Sequence, residues 1–170
     1  GFTDFYTHIS ATAGTVVYEK NIGQNTLARI GCALYGLSPS KNLQIKMEQQ
    51  NIILKPVLRW ITHIAQVKTL PENSTIGYGL TYITTRPTTI AVIPQGYSDG
   101  YDRGLSNIGR VLINGQYCKI LGRISMNMMV VDVTHIPNVR SEGEVVLLGI
   151  QNNCSITPEE LADKLDTINY

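Results

Sequence analysis

The region from residue 57 onward is a series of short apolar segments separated by turn residues. Alternate residues share one face of the first predicted strand: Leu58, Trp60, Thr62, Ile64 and Gln66. Further strands are predicted at residues 88–94, 110–114, 117–121, 128–133 and 144–148. Asn114-Gly115, between two of these strands, is a strong hairpin signal because a type I′ turn needs positive φ at both central positions. Closely spaced strands with short turns favour an antiparallel β-barrel or sandwich.

The two ends of the sequence differ from this β-rich region. Residues 6–10 and 30–34 predict two strands, and residues 37–56, with their proline, serine and polar residues, predict a connection. Near the other end, Thr157-Pro158 is typical of a helix start, and Glu160 completes a predicted capping box. Leu161 and Leu165 lie on one face of this short helix.

The composition excludes several classes of function. With 43% hydrophobic and 16% charged residues among 170, the chain is predicted to be globular. A net charge of +1 provides no basic surface for nucleic acid, and neither a membrane-length apolar run nor a signal peptide is found in the sequence. The cysteines, Cys32, Cys118 and Cys154, are widely spaced and predict free thiols in a reducing compartment.

The histidines are weak candidates for chemistry. His63 falls in a strand pattern and His135 stands near Pro137, so both are interpreted as bystanders. His8 precedes a small-residue turn and is the one histidine expected near a site. None of them has zinc-ligand spacing with a cysteine, so no metal site is predicted.

That small-residue turn is Ala11-Thr12-Ala13-Gly14, directly after the first predicted strand. Backbone amides and a hydroxyl after a strand form the usual phosphate site of a parallel βα unit. A plain loop is the alternative interpretation of so weak a glycine pattern.

The stretch Gly77-Tyr78-Gly79-Leu80-Thr81-Tyr82 places a tyrosine between two glycines. The glycines let the backbone bend sharply and present the phenol at a surface or cleft. Residues 81–85 are rich in β-branched side chains and predict a strand, so Tyr78 is expected at a loop-to-strand junction. An ordinary glycine-rich turn is the alternative.

Several blocks, read in order, match one known pattern. They are Ala-Arg-Ile-Gly-Cys-Ala-Leu-Tyr-Gly at 28–36, Tyr-Gly-Leu-Thr at 78–81, Gly-Tyr-Ser-Asp-Gly at 96–100, Gly-Arg-Ile-Ser-Met-Asn at 122–127 and Thr-Ile-Asn-Tyr at 167–170. In this order they resemble the alanine racemase family, enzymes that use pyridoxal phosphate (PLP). The resemblance covers nearly all of the chain. It implies a mainly β fold, with the last strands of a (β/α)8 barrel at residues 1–40 and the C-terminal antiparallel β-domain, truncated at its end, at residues 41–170.

The resemblance implies racemisation of a small amino acid by two proton-transferring groups, one on each face of Cα. Tyr78 matches the catalytic tyrosine of the family. The other group is a Schiff-base lysine, and no segment of these 170 residues matches its strand, so the isolated chain is expected to be inactive. A free phenol has a pKa of about 10, so Tyr78 acts as a base near neutrality only if nearby charge or hydrogen bonds favour the phenolate.

The resemblance also implies a set of cofactor-binding residues. Arg29 matches the arginine that hydrogen-bonds the pyridine nitrogen of PLP and so disfavours transamination; a surface arginine beside a strand is the alternative. Thr12, Gly31, Cys32 and Tyr170 match the phosphate-binding group. Thr12 replaces a more usual serine and Cys32 a more usual aliphatic residue, and Cys32 is equally well interpreted as a small buried hydrophobe.

Residues on the substrate side follow from the same resemblance. Tyr97, Met126 and Asn127 match substrate-binding positions, and Arg103 and Arg123, with Tyr97, match the entryway. Solvated charges at strand ends are the alternative for the two arginines. In the family the dimer is head to tail, so Tyr78, Tyr97, Met126 and Asn127 are expected to face the cofactor of a second subunit.

Asn127 departs from the family pattern, in which Met is followed by Asp. The change removes a negative charge and adds two N–H donors, which a serine hydroxyl can use and an alanine side chain cannot. We expect serine to be accepted alongside alanine; neutral drift is the alternative. The pattern looks like the racemase domain of the membrane-anchored serine/alanine racemases of vancomycin-resistance clusters, which implies a cytoplasmic domain, tethered through an upstream segment and supplying D-amino acids for cell-wall peptides.

Two other classes of protein are alternatives for this sequence. A non-catalytic β-barrel binding module would share the fold and lack the chemistry, which is consistent with the missing lysine. A related decarboxylase of the same fold type is disfavoured because its substrate-carboxylate and cysteine motifs are absent from the sequence.

Overall fold

The computed structural model describes residues 6–17 and 26–169. These form two compact units: the described residues up to Val57 together with Ile168 and Asn169, and Leu58–Thr167. The division therefore falls later in the chain than the predicted boundary after residue 40. No helix in the described ranges is both long and apolar enough to span a membrane.

The first unit is built on a parallel βα arrangement. It contains β1 (Thr7–Ala11), α1 (Thr12–Val17), β2 (Thr26–Arg29), a 3-10 helix (Cys32–Tyr35) and α2 (Lys41–Gln49). β1 and β2 pair in parallel, with Ala11 opposite Arg29. The residues that follow the two strands, Thr12 and Ile30, therefore lie at the same edge of the pair.

Two sequence-based predictions in this unit were wrong. Residues 30–34 are not a strand, because β2 ends at Arg29 and the amide of Leu34 donates to the carbonyl of Gly31 (2.9 Å) in the 3-10 helix. A short apolar run does not distinguish the two structures.

The predicted connection at residues 37–56 contains the helix α2. Ser40 caps it by accepting from the amide of Leu43 (3.2 Å), and Leu43 and Met47, four residues apart, are buried. The polar composition of the segment concealed this pattern, because only one narrow face of the helix is apolar.

The second unit is an antiparallel β-domain with one helix. Its elements are β3 (Trp60–His63), β4 (Gln66–Leu70), β5 (Thr75–Ile76), β6 (Tyr82–Ile83), β7 (Thr88–Ile93), β8 (Arg110–Ile113), β9 (Gln116–Lys119), β10 (Met129–Asp132), β11 (Glu144–Gln151), β12 (Cys154–Ile156) and α3 (Pro158–Leu165). One sheet has the order β10-β7-β4, and another has β12-β11-β8-β9 with β3 paired to β11. β5 and β6 form a separate small hairpin.

The two larger sheets close around a common core. A bridge between Ile120 and Val131 joins the β9 side to β10. At the corner between β3 and β4, the amide of Ile64 donates to Gly143 and that of Ala65 to Val92, both at 2.9 Å. The enclosed core is apolar and includes Ile64, Ile93, Leu105, Ile113, Ile120, Met129 and Leu147. The predicted antiparallel β-domain is confirmed.

Local signals correctly located the hairpin and the C-terminal helix. Asn114 and Gly115 have φ of 52° and 73°, and they join β8 to β9. Thr157 caps α3 by accepting from the amide of Glu160 (3.2 Å). The Glu160 carboxylate takes part in a different interaction from the predicted capping box, since both its oxygens accept from Arg110 at 2.7 and 2.8 Å.

The predicted strand at residues 81–85 is shorter than expected. β6 contains only Tyr82 and Ile83; the next residue, Thr84, bonds to the preceding turn through its backbone, with Asn73 and Ser74, and through its hydroxyl. It donates to the carbonyl of Pro71 and accepts from the amide of Ser74, both at 2.8 Å. A fully buried threonine is thereby satisfied locally, and the strand ends.

The free thiols differ in their environments. Burial, with a smaller contribution from the Asp132 charge, raises the pKa of Cys118 to about 12, whereas Cys154 is only half-buried. Since the thiolate is the reactive form, we expect Cys154 to alkylate and Cys118 to stay unmodified in native protein at pH 8. Mass spectrometry after iodoacetamide treatment checks this, and equal modification of Cys118 in native and denatured protein would contradict it.

Candidate active site

Tyr78 lies on an exposed turn between β5 and β6. Residues 78–80 form a single 3-10 turn, and the Tyr78 side chain is 69% exposed. Gly77 and Gly79 have φ of 78° and 71°, a conformation that residues with a Cβ rarely adopt. The phenol is therefore held at the surface by a sharply bent backbone.

The segment Gly122-Arg123 lies directly against this turn. A Cβ on Gly77 would stand 2.7 Å from the Arg123 backbone nitrogen, and one on Gly79 would stand 3.0 Å from Nη1 of its guanidinium. Gly77 is thus needed for close approach to the Arg123 backbone as well as for its φ, whereas Gly79 is needed chiefly for its φ because the Arg123 side chain is flexible. This packing puts a permanent positive charge beside the turn that carries Tyr78.

Tyr97 begins a second loop, which is fastened to residues 125–127. The amide of Tyr97 donates to the carbonyl of Ser125 (3.1 Å), and that of Ser98 donates to the carbonyl of Met126 (2.8 Å). A Cβ on Gly96 would stand 2.2 Å from the Ser125 carbonyl oxygen and 2.6 Å from the Asn127 nitrogen. Tyr97, Met126 and Asn127 are therefore brought together by backbone contacts.

Arg103 joins the same group. Its guanidinium carbon lies 5.9 Å from the centre of the Tyr97 ring, within cation–π range. Asp102 starts the 3-10 turn that carries Arg103 by accepting from the amide of Gly104 (2.7 Å). Arg103 therefore contacts Tyr97, a predicted substrate-binding residue, and is also exposed to solvent.

The base of this loop is anchored in the core by Tyr101. Its ring packs edge to face on Trp60, with the centroids 5.9 Å apart, and only 1% of the residue is exposed. The hydroxyl has no hydrogen-bond partner in the described part of the chain, and burial, helped by the Glu160 charge, raises its pKa. Tyr101 is accordingly a protonated structural anchor.

The loops leave large side chains open to solvent at one end of the β-domain. Exposed fractions are 61% for Leu80, 47% for Tyr97, 61% for Met126 and 43% for Met128. Together with Tyr78 and the two arginines they make a surface that is both apolar and cationic, which we call the loop surface.

In the first unit, Thr12 and Gly31, two of the predicted phosphate-binding residues, are hydrogen-bonded to each other. Thr12 follows β1 and is 4% exposed, and its hydroxyl oxygen accepts from the amide of Gly31 at 3.1 Å. The Gly31 amide, a predicted phosphate ligand, therefore already donates a hydrogen bond within the chain. The Thr12 hydroxyl keeps its own hydrogen for a bond to an anion.

The other predicted cofactor residues surround this bond. Cys32 opens the 3-10 helix, so its amide has no partner within the helix, and a Cβ on Gly31 would meet no atom within 4 Å. Arg29, the last residue of β2, is exposed. Tyr170 lies outside the described residues, while its neighbour Asn169 donates to the carbonyl of Ser38 (3.1 Å).

The histidines do not assemble into a site. His8 and His63 are exposed on β1 and β3, and Nε2 of His135 lies 2.9 Å from Arg86. Across residues 6–17 and 26–169, no group of three or more His, Cys, Asp or Glu residues is arranged to hold a metal.

Two residues at the site were not found by sequence reasoning. Oδ1 of Asn107 accepts from the amide of Gly122 (2.7 Å), and Oγ of Ser106 accepts from that of Ile124 (3.0 Å). Both link segments 15 or 18 residues apart in sequence, and nothing in the local pattern Leu-Ser-Asn signals such contacts.

The family assignment follows from comparison with known proteins. A family model described as "Alanine racemase, C-terminal domain" matches residues 57–170. The chain belongs to the alanine racemase family. Among curated relatives, alanine racemase from Halothermothrix orenii is 45% identical over 161 residues, which is 95% of this chain and 41% of the relative. That from Syntrophobacter fumaroxidans is 44% identical over 163 residues, 96% of this chain and 42% of the relative.

Solved alanine racemase structures have the same fold. The Bacillus anthracis enzyme with bound L-Ala-P matches with a TM-score of 0.88 and 33% identity, covering 97% of this chain and 41% of that one. The enzyme from E. faecalis matches with a TM-score of 0.83 and 34% identity, covering 97% and 42%. The chain thus spans about two-fifths of the length of these alanine racemases. The alanine racemase family is PLP-dependent, and the hydroxyl and amide donors at Thr12 and Cys32 suit a phosphate group.

Proposed function

We propose that this chain forms part of a PLP-dependent racemase of small amino acids, in which Tyr78 transfers one of the two protons. The observation that carries the proposal is the exposed Tyr78 phenol, on a turn whose flanking glycines lie against Arg123, in a member of the alanine racemase family. The test is interconversion of L- and D-alanine by the full-length protein. Activity that requires added PLP supports the proposal, and PLP-loaded protein without racemase activity refutes it.

The first unit is proposed to hold the cofactor. The Thr12 hydroxyl and the Cys32 amide would bind the phosphate, together with Tyr170, while the Gly31 amide orients the Thr12 oxygen. Arg29 would donate to the pyridine nitrogen; because a guanidinium has no proton to give up at neutral pH, it keeps that nitrogen unprotonated. PLP supplies the electron sink that makes the Cα proton of the bound amino acid removable.

Tyr78 would take or return the proton on one face of Cα. A phenol does this only if its anionic form is stabilised by the groups of the complete site. The opposite face requires the family lysine, which matches no segment of these 170 residues. The 170-residue chain by itself is therefore expected to be inactive.

A second copy is proposed to complete the site. The loop surface exposes Leu80, Met126 and Met128 around Tyr78, and such clustered apolar side chains are typical of a protein interface. In a head-to-tail dimer, Tyr78, Tyr97, Met126 and Asn127 would serve the cofactor of the partner subunit. Arg103 and Arg123 would then stand at the substrate entryway, where positive charge attracts the amino-acid carboxylate.

Serine is the proposed additional substrate. The backbone of Asn127 is held against Gly96, beside Tyr97 and Met126, and its side chain is exposed. An amide at this position can donate to a serine hydroxyl, whereas the carboxylate usual in the family can only accept. An enzyme of this specificity would supply D-alanine and D-serine for cell-wall peptides. A cytoplasmic location and an upstream membrane tether are proposed from the resemblance to serine/alanine racemases alone.

We expect Asn127→Leu, whose side chain can neither donate nor accept, to lower kcat/KM for L-serine relative to L-alanine by about tenfold, the size of one lost hydrogen bond of about 1.4 kcal/mol. The measurement is the ratio of the two kcat/KM values in the PLP-loaded full-length protein. Asn153→Leu, the same change at an exposed residue outside the loop surface, is the matched control. An unchanged ratio in Asn127→Leu would remove the serine hypothesis and leave alanine racemisation intact.

A further inference from the structure

Asn107 bridges two of the loops that form the candidate site. Its Oδ1 accepts from the amide of Gly122 at 2.7 Å, and its Nδ2 donates to Oγ1 of Thr81 at 3.2 Å. A backbone amide can only donate, so the Gly122 bond fixes which end of the Asn107 side chain carries the oxygen. The NH₂ group is thereby directed at Thr81.

Asn107 connects the segment that follows Tyr78 to the segment that contains Arg123. Thr81 follows the 3-10 turn of residues 78–80, and Gly122 immediately precedes Arg123. Ser106 extends the bridge, because its Oγ accepts from the amide of Ile124 at 3.0 Å. The amides on both sides of Arg123 are therefore bound by two consecutive side chains.

The Tyr78 turn lies at the tip of a short hairpin that is fastened mainly at its other end. The flanking strands β5 and β6 pair through only two residues each, and Thr84 bonds to Ser74 (2.9 Å) and Asn73 (2.7 Å) at the end away from Tyr78. The glycine contacts with Arg123 position the turn on one side, and the Thr81 bond fixes its C-terminal end. Asn107 itself has φ of 63°, which asparagine adopts more readily than most residues.

We propose that Asn107 is a positioning residue: by joining Thr81 to Gly122 it holds the turn that carries Tyr78 against the segment that carries Arg123, and so fixes the position of the phenol for proton transfer at Cα. The inference rests on the proposed function, since Asn107 acts through Tyr78. It assigns no contact with substrate or cofactor to Asn107. Small displacements of a catalytic group reduce rates strongly, so the bridge is expected to affect kcat more than KM.

The test uses the full-length, PLP-loaded protein and two disruptive variants. Asn107→Gly removes both hydrogen bonds, and glycine tolerates the φ of 63° without strain. Thr81→Val removes only the hydroxyl that accepts from Asn107, and it nearly keeps the shape of the side chain. It therefore tests the bridge independently if Asn107→Gly does not fold. We expect kcat to fall about tenfold to a hundredfold in Asn107→Gly and about fivefold in Thr81→Val, with KM nearly unchanged.

A rescue variant and a matched control accompany them. Asn107→Asp keeps an acceptor for Gly122 and can accept from the Thr81 hydroxyl, so it is expected to retain most of kcat. Asn138→Gly makes the same change at φ of 57°, beside the β8–β9 hairpin at the other end of β8, and is expected to leave kcat unchanged.

Hydrogen exchange gives a readout that needs no catalysis. Amides of residues 77–83 are expected to exchange faster in Asn107→Gly and Thr81→Val than in wild type, and those of β8 and β9 to stay as protected. Wild-type kcat in both disruptive variants, unchanged exchange of residues 77–83, or an Asn107→Asp variant as slow as Asn107→Gly would each overturn the inference. A wild-type protein that binds PLP and racemises nothing would instead refute the proposed function.

Discussion

Tyr78→Phe is expected to abolish racemisation of alanine in the full-length protein while leaving folding and PLP binding intact. The substitution removes one hydroxyl from a side chain that is 69% exposed, so the stability of the β-domain should not change. Loss of a general acid–base group typically costs about 10²- to 10⁴-fold in rate. The measurements are the racemisation rate in each direction and the absorbance of the bound cofactor.

Tyr6→Phe is the matched control for this variant. Tyr6 is 77% exposed and lies just before β1, at the opposite end of that strand from Thr12. Its hydroxyl has no part in the proposed chemistry, and wild-type rates are expected. A Tyr78→Phe enzyme with full activity would show that another group supplies the proton.

Gly96→Ala is expected to separate the Tyr97 loop from residues 125–127. The backbone φ of −146° suits alanine, so the whole effect comes from the added Cβ, which would stand 2.2, 2.5 and 2.6 Å from backbone atoms of Ser125, Met126 and Asn127. Backbone atoms cannot rotate away as a flexible side chain can. We expect a loss of about 2–3 kcal/mol in the free energy of unfolding.

Thermal unfolding and racemase assays of the same preparations measure this effect. Because Tyr97 and Met126 move with the two loops, kcat/KM should fall at temperatures where the variant is still fully folded. Gly31→Ala is the control for stability alone, since no atom lies within 4 Å of the added Cβ. Wild-type stability and wild-type kcat/KM in Gly96→Ala would mean that the loops do not pack as described.

Signals that act over a few residues predicted much of the fold. Asn114-Gly115 located a hairpin because both residues tolerate positive φ, and Thr157-Pro158 located the start of α3 because capping is a contact within one turn. The alternation predicted from Leu58 to Gln66 held for Trp60, Thr62 and Ile64, which are half-buried or buried. Leu58 and Gln66 are exposed, because β3 covers only Trp60–His63 and the chain turns a corner before β4.

Where the prediction failed, longer contacts or ambiguous patterns decided the outcome. Helix α2 is polar except at Leu43 and Met47, so its composition resembled a linker. The strand predicted at residues 81–85 is limited to Tyr82 and Ile83, and Thr84 instead bonds to Pro71 and Ser74, 13 and 10 residues back. Contacts of this kind follow no sequence period.

In the candidate site, too, contacts between neighbouring residues were predictable and contacts between distant residues were not. The glycines around Tyr78 indicated a sharp turn from the sequence alone, because they lie next to the residue that they position. The bridge through Asn107 was not visible, since its partners Thr81 and Gly122 are 26 and 15 residues away. Likewise, the bond between Thr12 and Gly31 joins the ends of two parallel strands that only the fold brings together.

The most direct measurement of the role of Tyr78 is exchange of the substrate Cα hydrogen with D₂O, followed separately for L- and D-alanine in Tyr78→Phe. If Tyr78 serves one face and a lysine the other, one enantiomer should still exchange without inversion, while exchange of the other stops. Equal exchange of both enantiomers, with inversion, would contradict the account.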